Sequence, residues 1–205
     1  MPLEKKDFWE HVYSTKTPQQ VSWTQENPKT SLNFIKNSDL EKKSAIIDVG
    51  GGDSLLVDYL LKEGYTNLTV LDISEQAIER AKKRLGTLGN IVNWIVSDVM
   101  NFESSKPFDL WHDRATFHFL TSDSEISAYK KLVVQHVTQY VVMATFSKDG
   151  PIKCSGLEIT QYNEKELTSI FQPTFQLLNS KQEDHQTPFN TIQNFQFVHL
   201  KKYGK

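Results

Sequence analysis

The sequence predicts an α/β fold: a mostly parallel sheet of seven strands, covered by helices and closed at its C-terminal edge by an antiparallel hairpin. Two observations carry that prediction. From residue 44 onward, short apolar runs alternate with amphipathic helical stretches, the pattern that lays parallel strands side by side with helices on both faces. The last two apolar runs, 175–178 and 195–200, have no helical stretch between them and so pair as a hairpin.

The first strand, 44–49, carries Ala45-Ile46-Ile47-Asp48-Val49, a run that reads as buried on both faces. A helix over 53–63 follows, with Leu55, Leu56, Tyr59 and Leu60 as its apolar stripe and Gly64 at its end. The second strand spans 68–71. Ser74 caps a helix reaching Leu85, with Glu75 and Glu79 toward its start and Lys82, Lys83 and Arg84 toward its end, as the helix dipole favours. Strands at 91–96 and 108–111, a helix over 124–136 and a strand at 140–146 continue the alternation. Asn163 caps a last helix reaching Phe171, and the hairpin flanks a polar loop containing His185 and Pro188. The whole reads as a Rossmann-like three-layer sandwich over 41–205. Residues 1–40 are polar, with Pro18, Pro28, a short helix over 31–36 and the aromatics Phe8, Trp9, Tyr13 and Trp23. They read as a lid or substrate segment of the same domain.

A chain of 205 residues fits one domain with a proper core. Its net charge of -2 gives no basic field for a nucleic acid partner. Cys154 is the single cysteine, which excludes an intramolecular disulfide and suits a reducing compartment. No apolar stretch approaches the roughly 20 residues of a membrane span. Residues 1–6 are charged and no apolar run follows them, so no secretory signal is read there. The expectation is a soluble, cytoplasmic protein, compatible with a monomer.

In sheets of this kind ligands bind beyond the carboxyl ends of the strands, near the switch in strand order. Three motifs fall on that rim. Gly50-Gly51-Gly52 follows the first strand and allows a tight turn with close ligand approach; a plain structural turn is the alternative. Asp72 closes the second strand, about 20 residues later, where a carboxylate accepts both hydroxyls of a ribose; capping the next helix is its alternative role. Asp98 follows the third strand, placed to accept an adenine amino group while Val99 packs on the ring. Dinucleotide sites need a small residue where this chain has Leu55, and Asp53 sets a negative charge against phosphate. An acidic turn suits a sulfonium better.

Asp48-Val49-Gly50-Gly51-Gly52, Asp72 and Ser97-Asp98-Val99 resemble the successive motifs of class I S-adenosylmethionine-dependent methyltransferases over about residues 44–150. Ser54 stands where that family often has a further glycine. The resemblance implies that S-adenosyl-L-methionine is bound by Trp23, Asp48, Gly50, Gly51, Gly52, Asp72, Ile73, Asp98, Val99 and His112, and leaves as S-adenosyl-L-homocysteine. Trp9 with Tyr13, Val21-Ser22-Trp23, the run from Asp113 to Thr121, Gly150-Pro151, Cys154-Ser155-Gly156-Leu157 and His185 with Thr187-Pro188 are similar to a group of small, mostly bacterial methyltransferases of undefined substrate. The N-terminal aromatics more distantly resemble thiopurine and elongation-factor lysine methyltransferases.

Methyl transfer from a sulfonium needs alignment and exclusion of water more than a catalytic base. His112-Asp113-Arg114 reads as the loop after the fourth strand. Asp113 is then an acceptor-orienting or proton-accepting group and Arg114 a site for an anionic substrate group, with a structural ion pair between them as the alternative. His118 is a third candidate for touching substrate, although a histidine on an apolar segment is more often packed. Trp9, Tyr13 and Trp23 either close as a lid or anchor the segment on the sheet. Cys154 reads as a buried thiol, and the scattered histidines have no metal-ligand spacing. The leading function is methyl transfer to a small-molecule nucleophile, with protein lysine as the second acceptor class. A NAD-dependent oxidoreductase, disfavoured by Asp53 and Leu55, and a non-catalytic cofactor-binding protein complete the alternatives.

Overall fold

The computed structural model describes residues 5–204. The first four residues of the 1–40 segment, and most of the stretch read for a secretory signal, lie outside the described residues. In chain order the elements are α1 (Lys5–Thr15), α2 (Lys29–Lys36), β1 (Ile46–Val49), α3 (Leu56–Lys62), β2 (Leu68–Asp72), α4 (Glu75–Leu85), β3 (Asn93–Val96), β4 (Phe108–Arg114), α5 (Asp123–His136), β5 (Val137–Phe146), β6 (Lys153–Cys154), β7 (Leu157–Glu158), α6 (Glu164–Phe171), β8 (Phe175–Gln186) and β9 (Ile192–Lys202).

Seven strands form the main sheet in the order β3-β2-β1-β4-β5-β9-β8. The first five run parallel, and β9 is antiparallel to both β5 and β8. The predicted class and its hairpin edge are both present. The order reverses between β1 and β4, which opens a crevice at their carboxyl ends. Local chemistry fixes the helix starts: Ser74 Oγ accepts from the Ala77 backbone N–H at 3.2 Å, and Ser122 and Asn163 each build a capping box.

Two apolar layers enclose the sheet. On one face Trp111, Phe117, Tyr129 and Phe171 pack under α5 and α6; on the other Phe34, Ile35, Leu56, Leu60 and Phe197 pack under α2 and α3. Several elements depart from the sequence expectation. α1 forms where none was predicted, on Trp9, Val12 and Tyr13 at helical spacing. β4 runs on to Arg114, three residues past its expected end. β8 and β9 extend through the expected polar loop, with 12 and 11 residues. β8 is the outer strand of the sheet, and its polar residues suit an edge that faces water. Among the described residues no helix is long and apolar enough to cross a membrane.

Candidate functional site

At the carboxyl end of β1 the chain turns through Gly50 with φ 67°, a left-handed conformation that costs glycine nothing. A Cβ there would stand 1.9 Å from Thr116 Oγ1, and one on Gly51 would stand 2.3 Å from Asp48 Oδ2. The turn is closed by the Gly50 N–H bonded to the Leu71 carbonyl at 2.7 Å.

Asp72, at the end of β2, accepts from the Gly52 N–H at 2.9 Å and the Ser74 N–H at 2.8 Å. Burial pushes its carboxyl up to about 6, with Asp48 and Glu10 adding to the rise and the two backbone bonds opposing it. Asp98 accepts from the Met100 N–H at 2.9 Å. Asp53 carries no free charge. It pairs with Arg84 at 2.8 Å and Arg80 at 3.5 Å, so its expected repulsion of phosphate is largely cancelled.

Two cavities meet along this rim. One, of about 120 Å³, is lined at one end by Asp72, Ile73, Asp98 and Val99 and elsewhere by Trp9, Phe119 and Cys154. The other, of about 270 Å³, is lined by Ser31, Asp48, Gly51, Asp53 and His112. Tyr13, Trp23, Gly50 and Arg114 line both and form a waist between them. Gly52 lines neither and contributes through its bond to Asp72.

The three residues expected to share a loop after the fourth strand belong to β4 instead, and its pleat divides them. His112 stands directly across from Asp48 in the β1–β4 register and shares its face. Its Nδ1 lies 2.6 Å from Asp48 Oδ1 and its Nε2 2.8 Å from Ser31 Oγ. Asp48 Oδ2 is buried and has no hydrogen-bond partner among the described residues.

Asp113 points the opposite way, under α5. It accepts from the Tyr129 hydroxyl, the Thr116 N–H and the Phe117 N–H, is fully buried, and lines neither cavity. Burial raises its carboxyl to about 6, against the hydrogen bonds that hold its charge. Its backbone partners fix the turn at Ala115, where φ is 70°. The expected acceptor-orienting role therefore becomes an indirect one, and no Asp113–Arg114 ion pair forms because the two side chains leave opposite faces.

Arg114 donates from Nη1 to the Trp23 carbonyl at 3.0 Å and lies 4.4 Å from the Phe195 ring centre. His118 is also out of reach of either cavity. It packs between Phe119 and Phe146, and burial followed by the Arg114 charge drives its imidazole down to about 3. It is a neutral core histidine. Burial pushes the Cys154 thiol up to about 11, which leaves it protonated and a poor nucleophile at neutral pH.

Sequence reasoning missed the way α1 is held across the rim. Glu10 accepts from Ser74 Oγ at 3.0 Å and from the Glu75 and Gln76 N–H groups at 2.6 and 3.2 Å, capping the start of α4. Arg80 reaches back to the carbonyls of Tyr13 and Lys16, and Lys5 pairs with Glu125 at 2.9 Å. Trp9 sits 5.4 Å from Phe119 and 5.7 Å from Trp23, both edge-on. Lone Glu and Arg residues on helices carry no sequence signal for such a contact.

Comparison with known proteins finds methyltransferases. A family profile described as a methyltransferase domain matches residues 46–137. EEF1A lysine methyltransferase 2 of Danio rerio is 24% identical over 186 residues, 86% of this chain and 77% of that protein. Malonyl-acyl-carrier-protein O-methyltransferase 1 of Ilyobacter polytropus is 36% identical over 88 residues, 42% of this chain but 32% of that protein. Among solved structures, the N-methyltransferase NodS of Bradyrhizobium japonicum in complex with S-adenosyl-L-homocysteine shares the fold with a TM-score of 0.71 at 14% identity, covering 98% of this chain and all of that one.

Proposed function

We propose that this chain is a class I S-adenosylmethionine-dependent methyltransferase that transfers the methyl group to a small-molecule nucleophile through sulfur, nitrogen or oxygen. The observation that carries the reading is the waisted cleft itself. One end has two carboxylates, Asp72 and Asp98, and the other has an unpartnered buried carboxylate oxygen on Asp48. That donor set fits a molecule with an adenosine at one end and an amino-acid ammonium at the other.

In this assignment Asp72 receives the ribose hydroxyls and Asp98 the adenine amino group, with Ile73 and Val99 packed against the rings. Gly50 and Gly51 leave the backbone bare where the cofactor crosses the rim, and the Gly52 N–H steadies Asp72. The Asp48–His112–Ser31 chain holds Asp48 Oδ2 toward the methionine end. Held by these residues, S-adenosylmethionine would supply a methyl carbon activated by its sulfonium. Residues 5–40 act as a lid, in which Trp9, Tyr13 and Trp23 exclude water from the waist. Asp113 is a positioning residue that fixes the turn after Arg114. The proposed setting is cytoplasmic, in keeping with a single buried cysteine.

Protein lysine is the second reading, favoured by the 24% identity to a lysine methyltransferase over most of this chain. A screen with labelled methyl donor against thiols, amines, carboxylates and lysine peptides separates the two. Label passing to peptide alone would overturn the small-molecule acceptor. Calorimetry with S-adenosylhomocysteine and NAD tests the cofactor, and binding of NAD without the homocysteine product would overturn it.

A further inference from the structure

The strongest unexplained group in the molecule is the Arg114 guanidinium. Its Nε and Nη2 are buried and have no hydrogen-bond partner among the described residues, and Nη1 is met only by the neutral carbonyl of Trp23. Guanidinium donors are strong, and leaving them buried without an acceptor costs stability. The carboxylates whose fields reach it are Glu183 and Asp48. Glu183 is paired with Lys181 at 2.6 Å and bonded to Thr30, and Asp48 is bonded through Oδ1 to His112. Burial lowers the guanidinium to about 10, so it keeps its charge at neutral pH. The fold thus holds a cation between the two cavities, with two of its donors unbonded and no ion pair to it among the described residues.

Sheet order says which molecule approaches it. Along the rim the strands β3, β2, β1 and β4 carry Asp98, Asp72, Gly50 and Arg114 in that sequence, and Phe195 of β9 lies beyond. The cofactor, in the reading above on which this inference rests, spans β3 to β1 and turns its methionine toward Asp48. Arg114 stands on the far side of Gly50, where the acceptor must enter. The walls there are Trp9, Trp23 and Phe119, whose rings meet edge-on. The carboxylates lining this cavity, Asp72 and Asp98, are at its opposite end. A lysine ammonium entering there would meet the Arg114 guanidinium and aromatic rings.

We propose that Arg114 is the anion receptor of the acceptor site, and that the acceptor is an apolar or aromatic body bearing a carboxylate. The planar fork of the guanidinium suits a carboxylate through two parallel bonds, and the aromatic walls suit the body.

The test uses three ligands with the same ring, phenylacetate, phenylacetamide and phenethylamine, titrated by calorimetry into protein saturated with S-adenosylhomocysteine. Phenylacetate is expected to bind at least tenfold more tightly than the amide, and the amine more weakly than both. Arg114→Met should abolish that preference and leave affinity for S-adenosylhomocysteine within threefold. Arg114→Lys should keep part of the preference, and the wild-type ranking stands as a test should Arg114→Met not fold. Equal binding of the three ligands, tighter binding of the amine, or no binding of phenylacetate would overturn the proposal. A tenfold or greater loss of S-adenosylhomocysteine affinity in Arg114→Met would assign the arginine to the cofactor's own carboxylate instead. Failure of wild-type protein to bind S-adenosylhomocysteine at all would strike the methyltransferase reading, a separate result.

Discussion

The backbone N–H of Gly52 donates to Asp72 Oδ2 at 2.9 Å, so the glycine turn after β1 and the acid ending β2 are one rigid unit. The bond fixes the carboxylate beside the turn before any ligand arrives, which lowers the ordering cost of binding. Replacing Asp72 with Ala removes the ribose acceptor and this tie together. S-adenosylhomocysteine affinity should fall about 10- to 100-fold, the range of one or two charge-assisted hydrogen bonds. Calorimetry reads it directly, and unchanged affinity would remove Asp72 from the cofactor site.

The same carboxyl predicts a pH dependence. Burial raises Asp72 to about 6, so it is ionised above that value and increasingly protonated below it. The ionised form offers acceptors to both ribose hydroxyls, whereas the protonated form has lost one of them. Affinity for S-adenosylhomocysteine should therefore be flat above pH 7 and weaken as pH falls through 6. Asp72→Asn, which cannot titrate, should bind weakly with no such inflection. A wild-type profile flat from pH 5 to 8 would falsify the assignment.

Much of the fold was legible because the strands and helices from 44 to 171 advertise themselves by period and cap. Ser74 and Asn163 cap helices as expected, and Gly50, Asp72 and Asp98 meet on one rim. What stayed hidden depends on which way a strand faces. His112, Asp113 and Arg114 read as a loop of chemical residues, yet one extra turn of pleat sends Asp113 into the core against Tyr129 and leaves its neighbours at the cleft. Nothing local in three consecutive polar residues distinguishes a pleated strand from a loop. Helix α1 was missed for a related reason: its apolar face is narrow, and its anchors, Glu10 and Arg80, find partners 64 or more residues away.

Those anchors make the lid testable. Glu10 satisfies three donors at the start of α4, and Arg80 holds the end of α1 by its carbonyls. Glu10→Ala should release α1 while leaving the sheet intact. Amide exchange should quicken over residues 5–15 with little change in α5, and S-adenosylhomocysteine should dissociate several-fold faster. Uniform acceleration of exchange across the chain would mean that Glu10 supports the whole fold, not the lid.

A Cβ at Gly51 would stand 2.3 Å from Asp48 Oδ2, far inside contact distance, and Asp48 is held in place by His112 at 2.6 Å. Gly51→Ala must therefore displace the turn or break the Asp48–His112 pair. Cofactor affinity should drop at least tenfold, with a stability loss of about 1–3 kcal/mol, the usual scale for overpacking. Thermal unfolding beside calorimetry checks both, and normal binding would show that the turn has slack that these distances deny.

Asp113 gives the last prediction, one of stability and not of chemistry. Its folded-state carboxyl, raised by burial to about 6, lies above the unfolded value of about 4. A group raised in this way contributes stability that is fully present below about pH 4 and lost as pH rises through 6. Asp113→Asn cannot titrate, so the stability of wild type relative to the variant should decline by about 2 kcal/mol between pH 4 and 7. The variant should also be less stable at pH 4, because its amide must face the Tyr129 hydroxyl, which itself accepts from Trp111 Nε1 at 2.9 Å. Denaturant unfolding at a series of pH values measures this difference. A difference that stays constant would mean Asp113 does not titrate in this range, and a collapse of turnover without a stability change would return it to the acceptor site.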